Sequence, residues 1–264
     1  MLQSLRHHLQ VYLQYVSIAY AQALSFRLNF TLYLIVDLFF YTSALGTIFV
    51  IFEHTPTIGP WNREEFLFFM SFILLLDYFD LTYFTMSFWK FSEHLRTGTF
   101  DFLLLKPTNG VFTTFCSSIR AATIFNGIAP LSMLIYFGIQ AKLPLASYVL
   151  LPLVGLLGLG LLLAIELIIS LSMFWAIESW GINILRIQFK ELSRWPDFIY
   201  AVGVRRLLTF GFPVLMIGSS PVKFLFDYSA WPLLLSMACA LLCCIAVIKI
   251  LWTRGLLHYE SASS

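Results

Sequence analysis

The sequence predicts an all-α integral membrane protein with six transmembrane helices, and three observations carry that expectation. Of 264 residues, 59% are hydrophobic and only 11% are charged, against roughly 25% charged in an ordinary soluble domain. Mean hydropathy is +0.84, so the polar material cannot cover a water-facing shell. Several apolar runs exceed the about 20 residues of helix needed to cross about 30 Å of hydrocarbon. A β-barrel would instead show segments of about ten residues with alternating polarity. A net charge of +2 points to no polyanionic partner, which excludes nucleic-acid binding together with disorder and the soluble folds.

The elements follow in order. Leu2, Leu5, Leu9, Tyr12, Val16 and Ala19 recur at alternating three- and four-residue steps, with Gln3, Arg6, Gln10, Gln14 and Ser17 elsewhere on the wheel. Residues 1–27 are therefore expected as an amphipathic helix lying in the membrane interface. Ala19-Tyr20-Ala21 looks like a signal-peptide cleavage site, but three glutamines interrupt the apolar stretch ahead of it. Spans are expected at about 28–52, 64–88, 111–139, 145–176, 197–219 and 231–253. The fifth is broken by Arg205 and Arg206 and recovers in LLTFGFPVLMIG. No linker, fixed-period repeat or low-complexity segment divides the chain, so 1–264 reads as one membrane domain.

Lys and Arg set the orientation, because cytoplasmic loops carry the excess. With the N-terminus inside, twelve of the 16 fall on the inner side: Arg6, Arg27, Lys90, Arg96, Lys106, Arg186, Lys190, Arg194, Arg205, Arg206, Lys249 and Arg254. Arg63, Lys142 and Lys223 fall outside, and Arg120 lies within the third span. Both termini are thus expected in the cytoplasm. The connections 89–110 and 177–198 are the longer inner loops and hold most of the charge.

Catalytic motifs are missing. There is no G-x-x-x-x-G-K-[ST] phosphate loop, no H-E-x-x-H zinc motif and no G-x-S-x-G elbow. His7 and His8 are interfacial, while His54, His94 and His258 are scattered over loops and ends. Cys116, Cys239, Cys243 and Cys244 fall in expected spans and read as packing residues, not as a disulfide framework or metal site. The chain is therefore expected to bind no cofactor and to hydrolyse nothing by itself.

The intramembrane charges form a layer. Asp37, Asp77, Arg120 and Glu166 each lie about ten residues from the inner end of their expected span, or roughly 15 Å at 1.5 Å per residue. Asp80 is one turn below Asp77. A charge at mid-bilayer costs about 2.5–3.5 kcal/mol, so unpaired lipid-facing positions are excluded. One reading is a polar lining for a substrate or proton path. The other is a buried Arg120–Glu166 bridge beside neutral or hydrated carboxylates, in which one pairing accounts for the layer's only basic residue.

The loop after span two reads FWKFSEHLRTGTFDFLLLKPTNG. Trp89, Phe91, His94 and Leu95 lie on one side of a helix, with Lys90, Glu93 and Arg96 on another, and Gly98 stands as its C-terminal stop. A second apolar run, Phe100 to Leu105, ends at Lys106-Pro107. This stretch resembles the first cytoplasmic loop of bacterial type-2 ATP-binding-cassette (ABC) exporter permeases, where R-x-G-x-x-D-x-x-L-x-x-P follows the second span. Here it is Arg96, Gly98, Asp101, Leu104 and Pro107. Two further stretches resemble the same family: Trp195-Pro196 through Arg205-Arg206 to Pro213 and Pro221, and the tail with Gly255, Tyr259 and Ser261. The tail departs from the family in having Ser263 where glycine is favoured.

The resemblance implies a multi-pass permease of the bacterial inner membrane. It implies a dimer with an identical or related second permease chain, each half docked on a separate cytoplasmic ATPase subunit that holds ATP and Mg. The loop helix then becomes the coupling element, with Trp89, Glu93, Arg96, Gly98, Asp101, Lys106 and Pro107 as its contacts and the N-terminal helix beside it. ATP-driven closure would tilt spans one, two and five around a central path and move an amphiphilic, lipid-like, drug or glycan substrate out of the cytoplasm. Pro213, Gly218 and Pro221 are expected to break the outer end of span five, either as an outer gate with a half-helix dipping back or as a plain helix end. A loop helix lying only on headgroups is the alternative for 89–106. For the whole chain the alternatives are an ion-gradient transporter or channel using Asp37, Asp77, Asp80 and Glu166, and an intramembrane lipid enzyme, for which no nucleophile, base and metal converge.

Overall fold

A computed structural model of the chain describes residues 2–25, 27–176 and 180–259, which form helices and turns with no strand among them. The side chains of Leu2, Leu5, Arg6, Leu9 and Arg27 lie outside the described set, as do Ser261 and Ser263. The helices are α1 (Leu2–Ser25), α2 (Arg27–His54), α3 (Arg63–Tyr83), α4 (Thr85–Thr97), α5 (Phe100–Leu104), α6 (Gly110–Phe115), α7 (Ile128–Gln140), α8 (Leu145–Leu171), α9 (Trp180–Leu192), α10 (Val202–Arg206), α11 (Met216–Phe226) and α12 (Trp231–His258). By length and composition, five stretches suit a bilayer crossing: Thr31–His54, Arg63–Tyr83, Ala121–Gln140, Leu145–Trp175 and Tyr228–His258. The pair Val202–Gly211 and Pro213–Phe226, bent by 86°, is a sixth candidate on those criteria.

α3 is the central strut. A capping box starts it: the Asn62 side chain accepts from the Glu65 N–H, and Glu65 accepts from the Asn62 N–H. Its side chains from Phe66 to Leu74 are all buried, which a helix surrounded on every side requires. Against it pack α2, α7, α8 and α11. α1 lies beside the start of the third span, and of its expected apolar face Tyr12, Val16 and Ala19 are half-buried while Gln14 and Ser17 are exposed.

The two ends of the bundle are built differently. At one end, Trp61 of the α2–α3 turn meets Phe198 edge-on at 4.9 Å, and a Cβ at Gly59 would come within 2.5 Å of the same ring. Phe68 meets Phe226 at 5.3 Å, and Ser147 at the start of α8 donates to the Leu225 carbonyl at 2.6 Å. At the opposite end, Phe91, Phe100, Phe115, Phe174, Trp252 and Tyr259 form an aromatic cluster joining α4 and α5 to the ends of α8 and α12.

These contacts identify the fifth crossing. Ile182 packs on the aromatic cluster, Phe189 and Leu192 pack on the main core, and Phe198 reaches the α2–α3 turn. α9 with residues 193–198 therefore runs from one end to the other. The expected span over 197–219 is instead a re-entrant hairpin. It enters beside Phe198, turns next to Ile165 and Cys244, and leaves beside Ser147 at the same end. The turn has a local cause: Leu207–Gly211 is a π-turn closed by the Phe212 N–H on the Leu207 carbonyl at 3.0 Å, and Pro213 cannot continue the ladder. The break thus lies at Phe212-Pro213. Gly218 and Pro221 sit inside the continuous α11, where a Cβ at Gly218 would come within 2.4 Å of Ile73, so this glycine permits the α3–α11 approach.

Two other boundaries move. The third span starts at Ala121, not near 111, because α6 and an irregular stretch precede it. Cys116 consequently lies outside that span, where burial pushes its thiol up to about 11 and keeps it protonated. α3 ends at Tyr83, and α4 begins after a bend at Phe84.

Candidate functional site

The loop after α3 folds into a corner. α4 ends at Gly98, whose φ of 70° lies in the left-handed region that a side chain disfavours, and α5 starts two residues later. Lys90, Glu93, Arg96, Lys106 and Pro107 are exposed, while Trp89 and Asp101 are half-buried. The apolar side chains at the tip, Phe102 (69%) and Leu105 (79%), are exposed as well. An apolar tip rimmed by charges of both signs has the character of a docking surface. The Lys106 ammonium lies 5.9 Å from the Tyr15 ring, which brings α1 beside the corner. His94 shares a 2.7 Å hydrogen bond with Thr99, and burial pushes its pKa below the ordinary value, so the ring is neutral near pH 7.

Under this corner the aromatic cluster makes a rigid seat. Phe91 lies 5.6 Å from Phe100, 4.9 Å from Phe115 and 5.3 Å from Phe174, with Phe100 5.2 Å from Tyr259. Gly255 is where α12 closes on it: a Cβ there would fall 2.2 Å from Phe174. Gly255 and Tyr259, singled out in the sequence as a tail motif, therefore belong to the seat of the corner.

A buried ionic ladder lies beside it. α9 presents Arg186 and Lys190 one turn apart on one face, and Arg194 follows in the turn just past its end. Glu166 of α8 lies 3.3 Å from Arg186, Lys190 reaches Asp80 at 2.7 Å and Asp77 at 3.8 Å, and Arg194 reaches Asp77 at 2.9 Å and Glu191 at 2.6 Å. The Arg186 side chain is 0% exposed, and its guanidinium lies over the Phe88 ring at 4.6 Å. Thr85 donates to Asp80 at 2.8 Å. Through Phe88 and Thr85, α4 touches the ladder directly.

The expected polar layer is therefore brought together only in part. Asp77, Asp80 and Glu166 share the ladder, whereas Asp37 accepts from Asn126 at 2.5 Å. The expected Arg120–Glu166 bridge does not form. Arg120 precedes the third span, with its guanidinium 4.5 Å above the Tyr33 ring, and Arg186 takes its place at Glu166. Charge alone places Arg186, Lys190 and Arg194 in a cytoplasmic loop, but the fold buries the first two among carboxylates of α3 and α8. Their i, i+4, i+8 spacing, matched to Asp77 and Asp80 at i, i+3, was the signal for a crossing helix with an internal charged face.

Five apolar spans with α9 running beside them from one end of the bundle to the other, a bent hairpin before the last span and an exposed helical corner after the second now stand together. A family model, ABC-2 family transporter protein, matches residues 38–263. The chain belongs to the ABC-2 transporter family. As an ABC-2 transporter it is a multi-pass membrane permease, and members of this family generally work with an ATPase subunit. No curated protein and no solved structure gave a match. The match begins inside α2 and so leaves α1 outside it. No group of His, Cys, Asp and Glu able to hold a metal occurs among the described residues of this ABC-2 permease.

Proposed function

We propose that this ABC-2 permease is the membrane half of an exporter, driven by ATP that a separate cytoplasmic ATPase subunit holds with Mg and hydrolyses. The observation that carries the reading is the α4–α5 corner, exposed at its tip and seated on aromatic side chains from the ends of α8 and α12. A load applied to Glu93, Arg96, Asp101, Lys106 and the apolar tip would reach Phe88 and Thr85, then the ladder, and through α9 the re-entrant hairpin. Trp89, Gly98 and Pro107 shape that corner. The hairpin that opens at the far end, with its backbone broken at the deep turn at Pro213 and Gly218 and Pro221 on the returning α11, forms the gate. A second permease chain, identical or related, completes the path. The substrate class is amphiphilic: a lipid, drug or glycan conjugate.

The end bearing both termini is the cytoplasmic one in the bacterial inner membrane. With α9 inside the bilayer and Arg205 and Arg206 at the far end, eight Lys and Arg remain on the near end against five on the far end, still in the sense of the positive-inside rule. An ion-gradient mechanism is less well supported, because Asp77, Asp80 and Glu166 face three cations and Asp37 is held by Asn126.

Replacing Glu93, Arg96 and Asp101 together by alanine tests the coupling surface. The expected result is loss of the copurifying ATPase and of transport-stimulated hydrolysis, with the permease still folded: Glu93 and Arg96 are exposed, and changes at such positions usually stay within about 0.5 kcal/mol, so any larger shift of the unfolding midpoint falls to the half-buried Asp101. Full ATPase binding and coupled hydrolysis in that variant would sink the assignment.

A further inference from the structure

Two adjoining cavities lie between the re-entrant hairpin and α12. The upper one, about 290 Å³, is lined by Asp197, Arg205, Arg206 and Lys223. The lower one, about 350 Å³, is walled by apolar groups such as Ile165, Ile169, Pro213, Ala240 and Val247. Thr209, Phe210, Met216 and Ser236 line both, so they form one cleft graded from charged to apolar. The charge is unbalanced. Asp197 accepts from Arg205 and from Lys223, each at 2.5 Å, and Arg206 adds a third cation to that single carboxylate.

The depth is graded as well. Arg205 and Arg206 sit at the mouth of the hairpin and Lys223 one turn from the end of α11, all at the end of the bundle where Phe198 and Leu225 lie. On α12 the lining runs from Leu233 to Val247, about 21 Å at 1.5 Å per residue. That exceeds half of an about 30 Å hydrocarbon layer, the reach of a chain belonging to one leaflet.

We propose that this cleft binds one anionic phospholipid, its phosphate held by Arg205, Arg206 and Lys223 and an acyl chain lying in the lower cavity. Phosphate suits the site because guanidinium groups pair with it through two directed hydrogen bonds, while the Asp197 carboxylate already holds the Lys223 ammonium and the Arg205 guanidinium in place. The apolar part commits the site to a lipid, since a free phosphate would leave the lower cavity without an occupant. The inference rests on the chain lying in a bilayer and is independent of the ATPase-coupling reading.

The test uses the full chain reconstituted in nanodiscs of equimolar phosphatidylglycerol, phosphatidylcholine and diacylglycerol, extracted into detergent and weighed by native mass spectrometry. The wild type is expected to retain phosphatidylglycerol about tenfold over phosphatidylcholine, and Arg205→Gln with Arg206→Gln to remove that preference, consistent with one or two charge-assisted hydrogen bonds. Arg205→Lys with Arg206→Lys should keep most of it, and matching unfolding midpoints for all variants would exclude misfolding as the cause. Ala240→Phe with Val247→Phe should lower retention of every lipid about tenfold while leaving the fold intact. Equal retention of the two phospholipids by the wild type would overturn the proposal. So would displacement of the lipid by millimolar inorganic phosphate, which would make it a bare anion site. A glutamine variant that changed the fraction of dimer but not lipid retention would assign the cleft to a second copy of the chain.

Discussion

Residues 89–107 and 180–194 are alike as sequence: each is an amphipathic helix with basic residues, set between apolar runs. In the fold they are opposites. Lys90, Glu93, Arg96 and Lys106 stand exposed on the α4–α5 corner, whereas Arg186 and Lys190 are buried and Arg194 nearly so, each facing a carboxylate from α3 or α8. What separates the two segments is the complement each meets. The corner rests on aromatic rings that accept only its apolar side, so its charges point away. α9 meets Asp77, Asp80 and Glu166, and three cations can enter the interior because three acids are already there. Charge content alone does not place a helix in a membrane protein; the matching partner does.

Breaking the ladder at one partner is expected to give the largest effect. Asp80→Leu or Lys190→Leu alone should destabilise by about 3–5 kcal/mol, because the remaining charge stays buried without its mate. The double change should recover most of that loss, as read by chemical unfolding in detergent. Additive losses would mean that the two charges do not interact. At the corner the equivalent single charge changes should be nearly silent in stability, which is the contrast between the regions in measurable form.

A smaller effect sharpens the corner itself. Gly98→Ala places a side chain at φ 70° and should cost about 1 kcal/mol by the left-handed penalty. It should also tilt α5 against α4 and lower transport-coupled hydrolysis more than it lowers stability. Unchanged stability would show that the turn adopts another conformation.

How much was legible before the fold was known follows the same division. Long apolar runs are self-reporting, so α2, α3, α8 and α12 were readable from hydropathy, and the stop at Gly98 from its place after an amphipathic turn. The R-x-G-x-x-D-x-x-L-x-x-P pattern marked the corner because its chemistry is local. α9 was not readable by hydropathy: with Arg186, Lys190 and Glu191 in thirteen residues, it fails any test of composition, and its partners lie over a hundred residues away in the case of Asp77 and Asp80. The run 197–219 looked like a crossing because it is apolar, yet the direction of a helix after Pro213 is set by packing against Gly158 and Ile73, which no window over the run contains. The reading that pairs Arg120 with Glu166, as the layer's only basic residue, places both at similar depth, whereas the third span starts ten residues later than its apolar run and leaves Arg120 ahead of it.

The central claim is that α9 crosses the bilayer and that 202–226 returns to the side it entered from. Single cysteines at Glu93 and at Ala201, both exposed positions, placed in a chain whose four native cysteines are replaced, test it directly with a membrane-impermeant maleimide on intact and on inverted membrane vesicles. The fold predicts that the two positions label from opposite sides, with position 93 on the side where α12 ends. Labelling of both from the same side would put α9 back in a cytoplasmic loop and contradict the account.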